Sequence, residues 1–238
     1  ICEGLVGSEM CIRDRTDIDH IELDKKPQCS ELEKNYLIHS ANQYFETQLK
    51  VEDIVWTYSG VRPLQDTSEG NATAVTRDYS IKVNWENEVP LINIFGGKIT
   101  TYRKLSESVL NEVAAFFPKM RGPWTAESYL PGGDFPVNGV SDLILDLLRD
   151  YPFLSEKWAA RLVKAYGREA FEMLGSVRNE DDLGINFGAT LTQKEVEWLI
   201  REEFATSAED ILWRRSKLGL RMGALQVKNL QNFIASQT

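Results

Sequence analysis

The residues of this chain best suited to chemistry stand in one run, Gly96-Gly97-Lys98-Ile99-Thr100-Thr101, between the apolar stretch Leu91-Ile-Asn-Ile-Phe95 and a helical pattern that begins at Thr101. Strand, double-glycine turn and helix start form a sequence with a physical use. A helix N-terminus presents unpaired N–H groups and a partial positive charge. Glycines let backbone come close to a ligand, and a lysine adds a full charge at the same spot. Such a turn suits an anion or the electron-rich edge of a cofactor. It is not a P-loop, because Ile92 occupies the place of the first glycine and Ile99 follows the lysine where Ser or Thr is required.

Two arginines are candidates beside it. In the alternating stretch Val75 to Val83, Arg77 shares the odd positions with Val75, Tyr79, Ile81 and Val83, whereas Thr76, Asp78, Ser80 and Lys82 are polar. A period of two therefore puts Arg77 on the apolar face. A guanidinium there must either pair with a buried carboxylate or line an anion-binding cavity. Arg62 lies between Val61 and Pro63 in a loop. It is either a solvated surface residue or a bidentate partner for phosphate or carboxylate. Lys98 has the same two readings, solvent or ligand. Its position at a helix start slightly opposes the dipole and calls for a partner.

The elements that must position these groups follow from pattern. Ser30-Glu31-Leu32-Glu33 is a capping box that opens a helix carrying Leu32, Tyr36, Leu37, Ala41, Tyr44, Phe45 and Leu49 on one side. Ile54 to Tyr58 reads as a strand. Val75 to Val83 and Val89 to Phe95 read as a hairpin with a loop over residues 84–88. A helix runs from Thr101 to Phe117 and stops at Pro118. Residues 121–136 are rich in Gly and Pro and read as a linker. Beyond it, helices are expected at about 141–150, 155–166, 168–174, 192–204, 207–218 and 224–235. Ser141, Ser155, Thr192 and Ser207 stand as N-caps, Thr192 to Glu195 as a second capping box, and Gly167 and Gly175 as stops.

Composition narrows the class. The 238 residues suffice for one large or two small domains, and a 42% apolar, 26% charged make-up is that of a globular protein. The net charge of −9 lacks the basic footprint that nonspecific nucleic-acid binding needs. Cys2, Cys11 and Cys29 show no metal spacing and read as free thiols of a reducing compartment, and His20 and His39 are too few for a histidine metal site. No apolar run approaches the length of a membrane-spanning helix.

Five segments together resemble the C-terminal half of the FAD-dependent glycerol-3-phosphate dehydrogenases, the membrane-associated, quinone-reducing type. They are Trp56-Thr-Tyr-Ser-Gly-Val-Arg-Pro-Leu64, Thr76-Arg-Asp-Tyr79, Phe95-Gly-Gly-Lys-Ile-Thr-Thr-Tyr-Arg-Lys104, Leu130-Pro-Gly-Gly133 and Trp213-Arg-Arg-Ser-Lys-Leu-Gly219. The resemblance starts at Thr16, and residues 1–15 read as a non-native leader. The family's G-x-G-x-x-G turn is not in this sequence.

The resemblance implies an α/β plus all-α architecture. Residues 16–120 would be the incomplete part of a Rossmann-like FAD domain with its mixed-sheet substrate region. Residues 121–136 would be a linker and 137–238 a small helical domain. It implies oxidation of sn-glycerol 3-phosphate to dihydroxyacetone phosphate, with electrons passing through FAD to a quinone, or to oxygen in the oxidase variant. Arg62 is implied as a catalytic residue beside the flavin. Arg62, Arg77 and Lys98 are implied to bind substrate phosphate. Gly96, Gly97, Lys98, Ile99, Thr100 and Thr101 are implied to approach the flavin. The general base would lie in the absent N-terminal part. Implied partners are that FAD domain, the inner face of the cytoplasmic membrane as a peripheral contact, and a second copy in a homodimer. A noncatalytic anion-binding or helical interaction module is the competing reading.

Overall fold

The computed structural model describes residues 16, 18, 24–61, 78–87 and 89–237. The chain divides into two compact units between Ala126 and Glu127.

The first unit holds helix α1 (Glu31–Asn42), the antiparallel hairpin β1 (Tyr79–Glu86) and β2 (Val89–Gly96), and helix α2 (Tyr102–Glu112). The Ser30 capping box forms: Ser30 Oγ accepts from Glu33 N–H at 3.3 Å, and Ser30 N–H donates to the Glu33 carboxylate at 2.8 Å. The helix ends at Asn42, not near Leu49. The Asn42 side chain bonds both N–H and C=O of Leu49 and turns the chain there.

Ile54 to Tyr58 corrects the sequence reading, since it joins no sheet among the described residues; Trp56 and Tyr58 stack on each other at 5.0 Å. The expected loop over residues 84–88 is also shorter. The strand continues through Glu86, which pairs with Val89, and Asn87 takes φ +48°, a conformation asparagine tolerates. Ile81 faces Ile94 and Val83 faces Ile92 across the ladder. Trp85 stacks on Phe116 at 5.9 Å beyond the end of α2. The helix itself closes at Glu112, and a 3₁₀ turn (Ala114–Phe116) replaces its expected last turn.

The second unit is helical: α3 (Val140–Asp150), α4 (Glu156–Tyr166), α5 (Glu169–Leu174), α6 (Gln193–Arg201) and α7 (Ala224–Gln237), with a π-helical segment at Asp210–Arg215. Its core includes Leu147, Leu162, Leu174, Leu191, Leu199, Ile211 and Leu230. Leu143 and Leu147 lie one turn apart on α3, and Trp158, Leu162 and Tyr166 repeat that spacing on α4. Ser155 Oγ caps α4 by accepting from Trp158 N–H. Ser207 Oγ accepts from Asp210 N–H while Asp210 accepts from Ser207 N–H. Ser141 caps nothing; Gly139 precedes α3 in the capping position. Gly167 and Gly175 end α4 and α5 at φ +57° and +59°, where a side chain is strained.

A short hairpin absent from the sequence reading, β3 (Asn186–Gly188) with β4 (Leu191–Thr192), precedes α6. Its turn, Ala189-Thr190, has φ +49° and +66°. That is the type I′ geometry that normally selects Asn-Gly.

Among the described residues, all the fully buried ones belong to the second unit, beginning at Leu143. The first unit has none among its described residues. Its large apolar side chains are open, with Ile99 89% exposed and Val55 83%.

Candidate functional site

The turn from β2 into α2 is built as its residues dictate. Gly96 and Gly97 take φ +71° and +95°, which reverses the chain at the strand end without a side-chain clash. A Cβ at Gly97 would sit 3.3 Å from the Cβ of Tyr79, the strand residue opposite Gly96. Backbone therefore packs directly on the tyrosine. Lys98 then caps a 3₁₀ turn (Ile99–Thr101) that feeds α2. Its carbonyl accepts from Thr101 N–H at 3.0 Å and from Thr101 Oγ1 at 2.8 Å. The threonine hydroxyl thus points back into the turn.

The first turn of α2 carries no acid, and no described residue pairs with the exposed Lys98 ammonium. Arg103 is engaged elsewhere, with Glu107 at 3.1 Å and Thr125 Oγ1 at 3.3 Å. Thr125 Oγ1 also donates to Glu107, and chiefly this bond holds the Glu107 carboxyl below the usual carboxylate range. At the other face of the hairpin end, Lys82 Nζ lies 5.4 Å from the centre of the Phe95 ring.

The structure thus brings Gly96, Gly97, Lys98, Ile99, Thr100 and Thr101 into one turn. Arg62 and Arg77 lie outside the described residues, as does the leader read over residues 1–15. Sequence reasoning did not single out Tyr79 and Ser108, which tie this turn to α2. Tyr79 Oη stands 3.4 Å from Ser108 Oγ, a contact across 29 positions with no local signature.

The second unit holds a buried polar cluster. Arg161 grips both oxygens of Glu195 at 2.6 and 2.7 Å and both Thr190 Oγ1 and Thr190 C=O at 2.9 Å. Tyr166 Oη donates to Glu195 at 2.7 Å, and burial, then the neighbouring carboxylate, pushes its hydroxyl well above the ordinary tyrosine range. Every charged group here has its partner, so the cluster holds helices together and offers a ligand nothing. It also corrects the second capping box, because Thr192 makes no side-chain cap and Glu195 faces Arg161.

The basic group near residue 214 pairs inward. Arg214 meets Asp210 at 2.9 Å and Glu209 at 3.0 Å, and Arg215 meets Asp210 at 3.4 Å and the Glu203 carbonyl at 2.8 Å. Trp158 and Trp198 are core residues. Among the described residues no His, Cys, Asp or Glu group could hold a metal ion, and no helix is long and apolar enough to cross a membrane.

Residues 124–235 match the family described as the C-terminal domain of alpha-glycerophosphate oxidase, so the helical unit belongs to that family. Over 231 residues, 97% of its length, the chain is 38% identical to the aerobic glycerol-3-phosphate dehydrogenase of Escherichia coli (strain K12). It is 40% identical over 223 residues to the glycerol-3-phosphate dehydrogenase of Pseudomonas aeruginosa, and 38% identical over 203 residues to the D-erythritol 1-phosphate dehydrogenase of Brucella abortus (strain 2308). The chain is thus homologous to the glycerol-3-phosphate dehydrogenases along nearly all of its length, and its relatives are oxidoreductases. It spans under half of these relatives: 46%, 43% and 40% of their respective lengths.

Proposed function

We propose that this chain is the C-terminal portion of a flavoenzyme that oxidises sn-glycerol 3-phosphate to dihydroxyacetone phosphate. The observation that carries the reading is the Gly96–Thr101 turn, whose Lys98 has no partner among the described residues, lying within the 97% of the chain that aligns at 38% identity with a glycerol-3-phosphate dehydrogenase. FAD is the cofactor this reading needs, and the turn suits it. Two positive-φ glycines admit close backbone approach, and a helix start without acids favours an electron-rich edge. When bound, FAD supplies the two-electron oxidant for the C2 carbinol.

The chain's own residues then bind and orient. Lys98 offers its ammonium to the phosphate or to the flavin's pyrimidine edge, and the amides at the helix start add partial positive charge. Arg62 and Arg77 are proposed as further phosphate ligands, suited to bidentate contact. The general base and the dinucleotide cradle are assigned to the portion that the relatives carry beyond this chain. A quinone is proposed as electron acceptor, with peripheral attachment to the inner membrane face.

The Brucella abortus relative supports a second substrate, D-erythritol 1-phosphate, at the same 38% identity. Both are polyol monophosphates, so the phosphate-binding groups serve either, and the remaining carbons decide between them.

The test is steady-state turnover of the full-length protein on both phosphates with a dye acceptor, repeated with Lys98→Ala. Loss of a charged hydrogen bond lowers kcat/KM roughly tenfold to a hundredfold. Unchanged kcat/KM in Lys98→Ala would exclude the lysine from the site, and faster turnover of the four-carbon phosphate would assign the second substrate.

A further inference from the structure

We propose that Tyr79 is a positioning residue for the Gly96–Thr101 turn, acting through Ser108. The proposal rests on the reading of that turn as the anion- and cofactor-facing end of α2.

Two adjacent positive-φ glycines join β2 to Lys98. Such a joint has little stiffness of its own, since glycine has the widest conformational freedom of any residue. Something else must fix where the helix start points. Tyr79 does so at two places. Its Cα and Cβ form the floor on which Gly97 lies; a Cβ at residue 97 would crowd the Tyr79 Cβ at 3.3 Å, and the φ of +95° there favours glycine in its own right. Its hydroxyl meets Ser108 Oγ at 3.4 Å. Ser108 has one proton and gives it to the Lys104 carbonyl at 2.9 Å, so Tyr79 is the donor to Ser108.

The result is a relay, Tyr79 O–H to Ser108 O–H to Lys104 C=O, running from the first residue of β1 into the body of α2. Ser108 lies six residues into α2 from Tyr102, roughly 9 Å along the helix axis. A tether that far into the helix sets the direction of α2. The amides of residues 97–101 then hold a fixed aim, while Thr101 Oγ1 closes the turn locally on the Lys98 carbonyl.

The experiment uses the full-length protein, with sn-glycerol 3-phosphate kinetics and amide hydrogen exchange of residues 97–101 read together. Tyr79→Phe keeps the floor and removes the donor. Losing one neutral hydrogen bond is worth about fivefold. KM is expected to rise by about that factor with kcat within about twofold, and exchange at 97–101 to speed up similarly. Exchange in α4 should not change. Ser108→Ala should match Tyr79→Phe, and the double variant should be no worse than either. Tyr79→Leu, which keeps Cα and Cβ but removes the ring together with the hydroxyl, should speed exchange at least as much. Wild-type KM and wild-type exchange in Tyr79→Phe would overturn the proposal, as would additive effects of the two substitutions. If Lys98→Ala leaves KM unchanged, the reading of the turn itself fails. If Lys98→Ala raises KM while Tyr79→Phe changes neither observable, only the role of Tyr79 falls.

Discussion

Glu195 and Arg161, 34 positions apart, face each other as a two-toothed ion pair inside the helical unit, with N–O distances of 2.6 and 2.7 Å and only 2% of the glutamate side chain exposed. Arg161 spends its remaining donors on Thr190, the second residue of a type I′ turn that lacks the usual Asn-Gly. The pair therefore holds two things: α4 against α6, and a turn in backbone geometry that Ala189 and Thr190 do not favour. Removing one partner leaves a buried charge unmatched, which costs about 3–5 kcal/mol. Glu195→Ala is expected to lower the unfolding free energy by that amount. The paired replacement Arg161→Met with Glu195→Leu should lose clearly less. Equilibrium denaturation of the chain checks both, and equal losses in the two variants would show that the turn, not the charge, sets the cost.

Four glycines of the chain allow strain and crowding to be separated. Gly167 and Gly132 touch each other. A Cβ on Gly167 would come within 2.1 Å of the Gly132 carbonyl oxygen, and that carbonyl accepts from Arg168 N–H at 2.9 Å. This contact explains why Leu130-Pro-Gly-Gly133 is written as it is, since the segment lies flat on the α4–α5 corner. Gly175 has the same positive φ but its nearest neighbour would be 3.6 Å away, and Gly122 has open space and no positive φ. Alanine should be near neutral at 122, should cost about 1–3 kcal/mol at 175 from backbone strain, and should cost a further 1–3 kcal/mol at 167 from overpacking. Denaturation midpoints of the three variants give the order directly, and any other order refutes the geometry.

Much of this was legible because cap chemistry is local. Ser30, Ser155 and Ser207 announce their helices, and Gly167 and Gly175 end theirs, within a window of a few residues. The hairpin β1–β2 follows from alternation. What failed depended on distant partners. Thr192 to Glu195 spells a capping box, yet a guanidinium from α4 outcompetes a backbone N–H for the carboxylate. The β3–β4 hairpin was missed because its turn residues carry no turn signal and its geometry is imposed by Arg161. Ile54 to Tyr58 looks like a strand by composition, but a strand needs a neighbour. At the candidate site, glycines and lysine were readable in line, whereas the bond from Tyr79 to Ser108 exists only after folding.

Asp210 supplies a pH test. One carboxylate oxygen accepts from Ser207 Oγ and N–H and from Thr206 Oγ1 and N–H, at 2.9–3.1 Å, while the other faces Arg214. The Ser207 hydroxyl first, then these other donors, hold its pKa far below the usual aspartate range. A depressed folded-state pKa gives stability that is complete above the unfolded pKa and is lost as pH falls through the folded one. Asp210→Asn should therefore destabilise by about 1 kcal/mol, the scale of a lost helix cap, at neutral pH. The difference from wild type should stay flat down to about pH 5 and shrink in stronger acid. Thermal unfolding at stepped pH measures it, and a gap that widens on acidification would contradict the assignment.

The two units should also differ in how they stand without the rest of the polypeptide. The helical unit has a continuous core from Leu143 to Ile234. The first unit has no fully buried described residue, and leaves Ile99, Val55, Tyr58 and Trp85 open together with an apolar hollow of about 520 Å³ lined by Leu110, Phe116, Phe117 and Met120. Exposed apolar surface of this extent marks a site of interaction. The relatives carry more than as much chain again as is present here. Limited proteolysis of this chain should accordingly cut between about 112 and 136 and leave a resistant product near 127–238, because cleavage follows local opening and local opening follows burial. Adding the remaining portion of the full-length protein should protect the first unit while leaving the helical product's resistance unchanged. Equal resistance of both units in the isolated chain would mean that residues 24–126 hold a core of their own, and the reading of that surface as an interaction site would then fall.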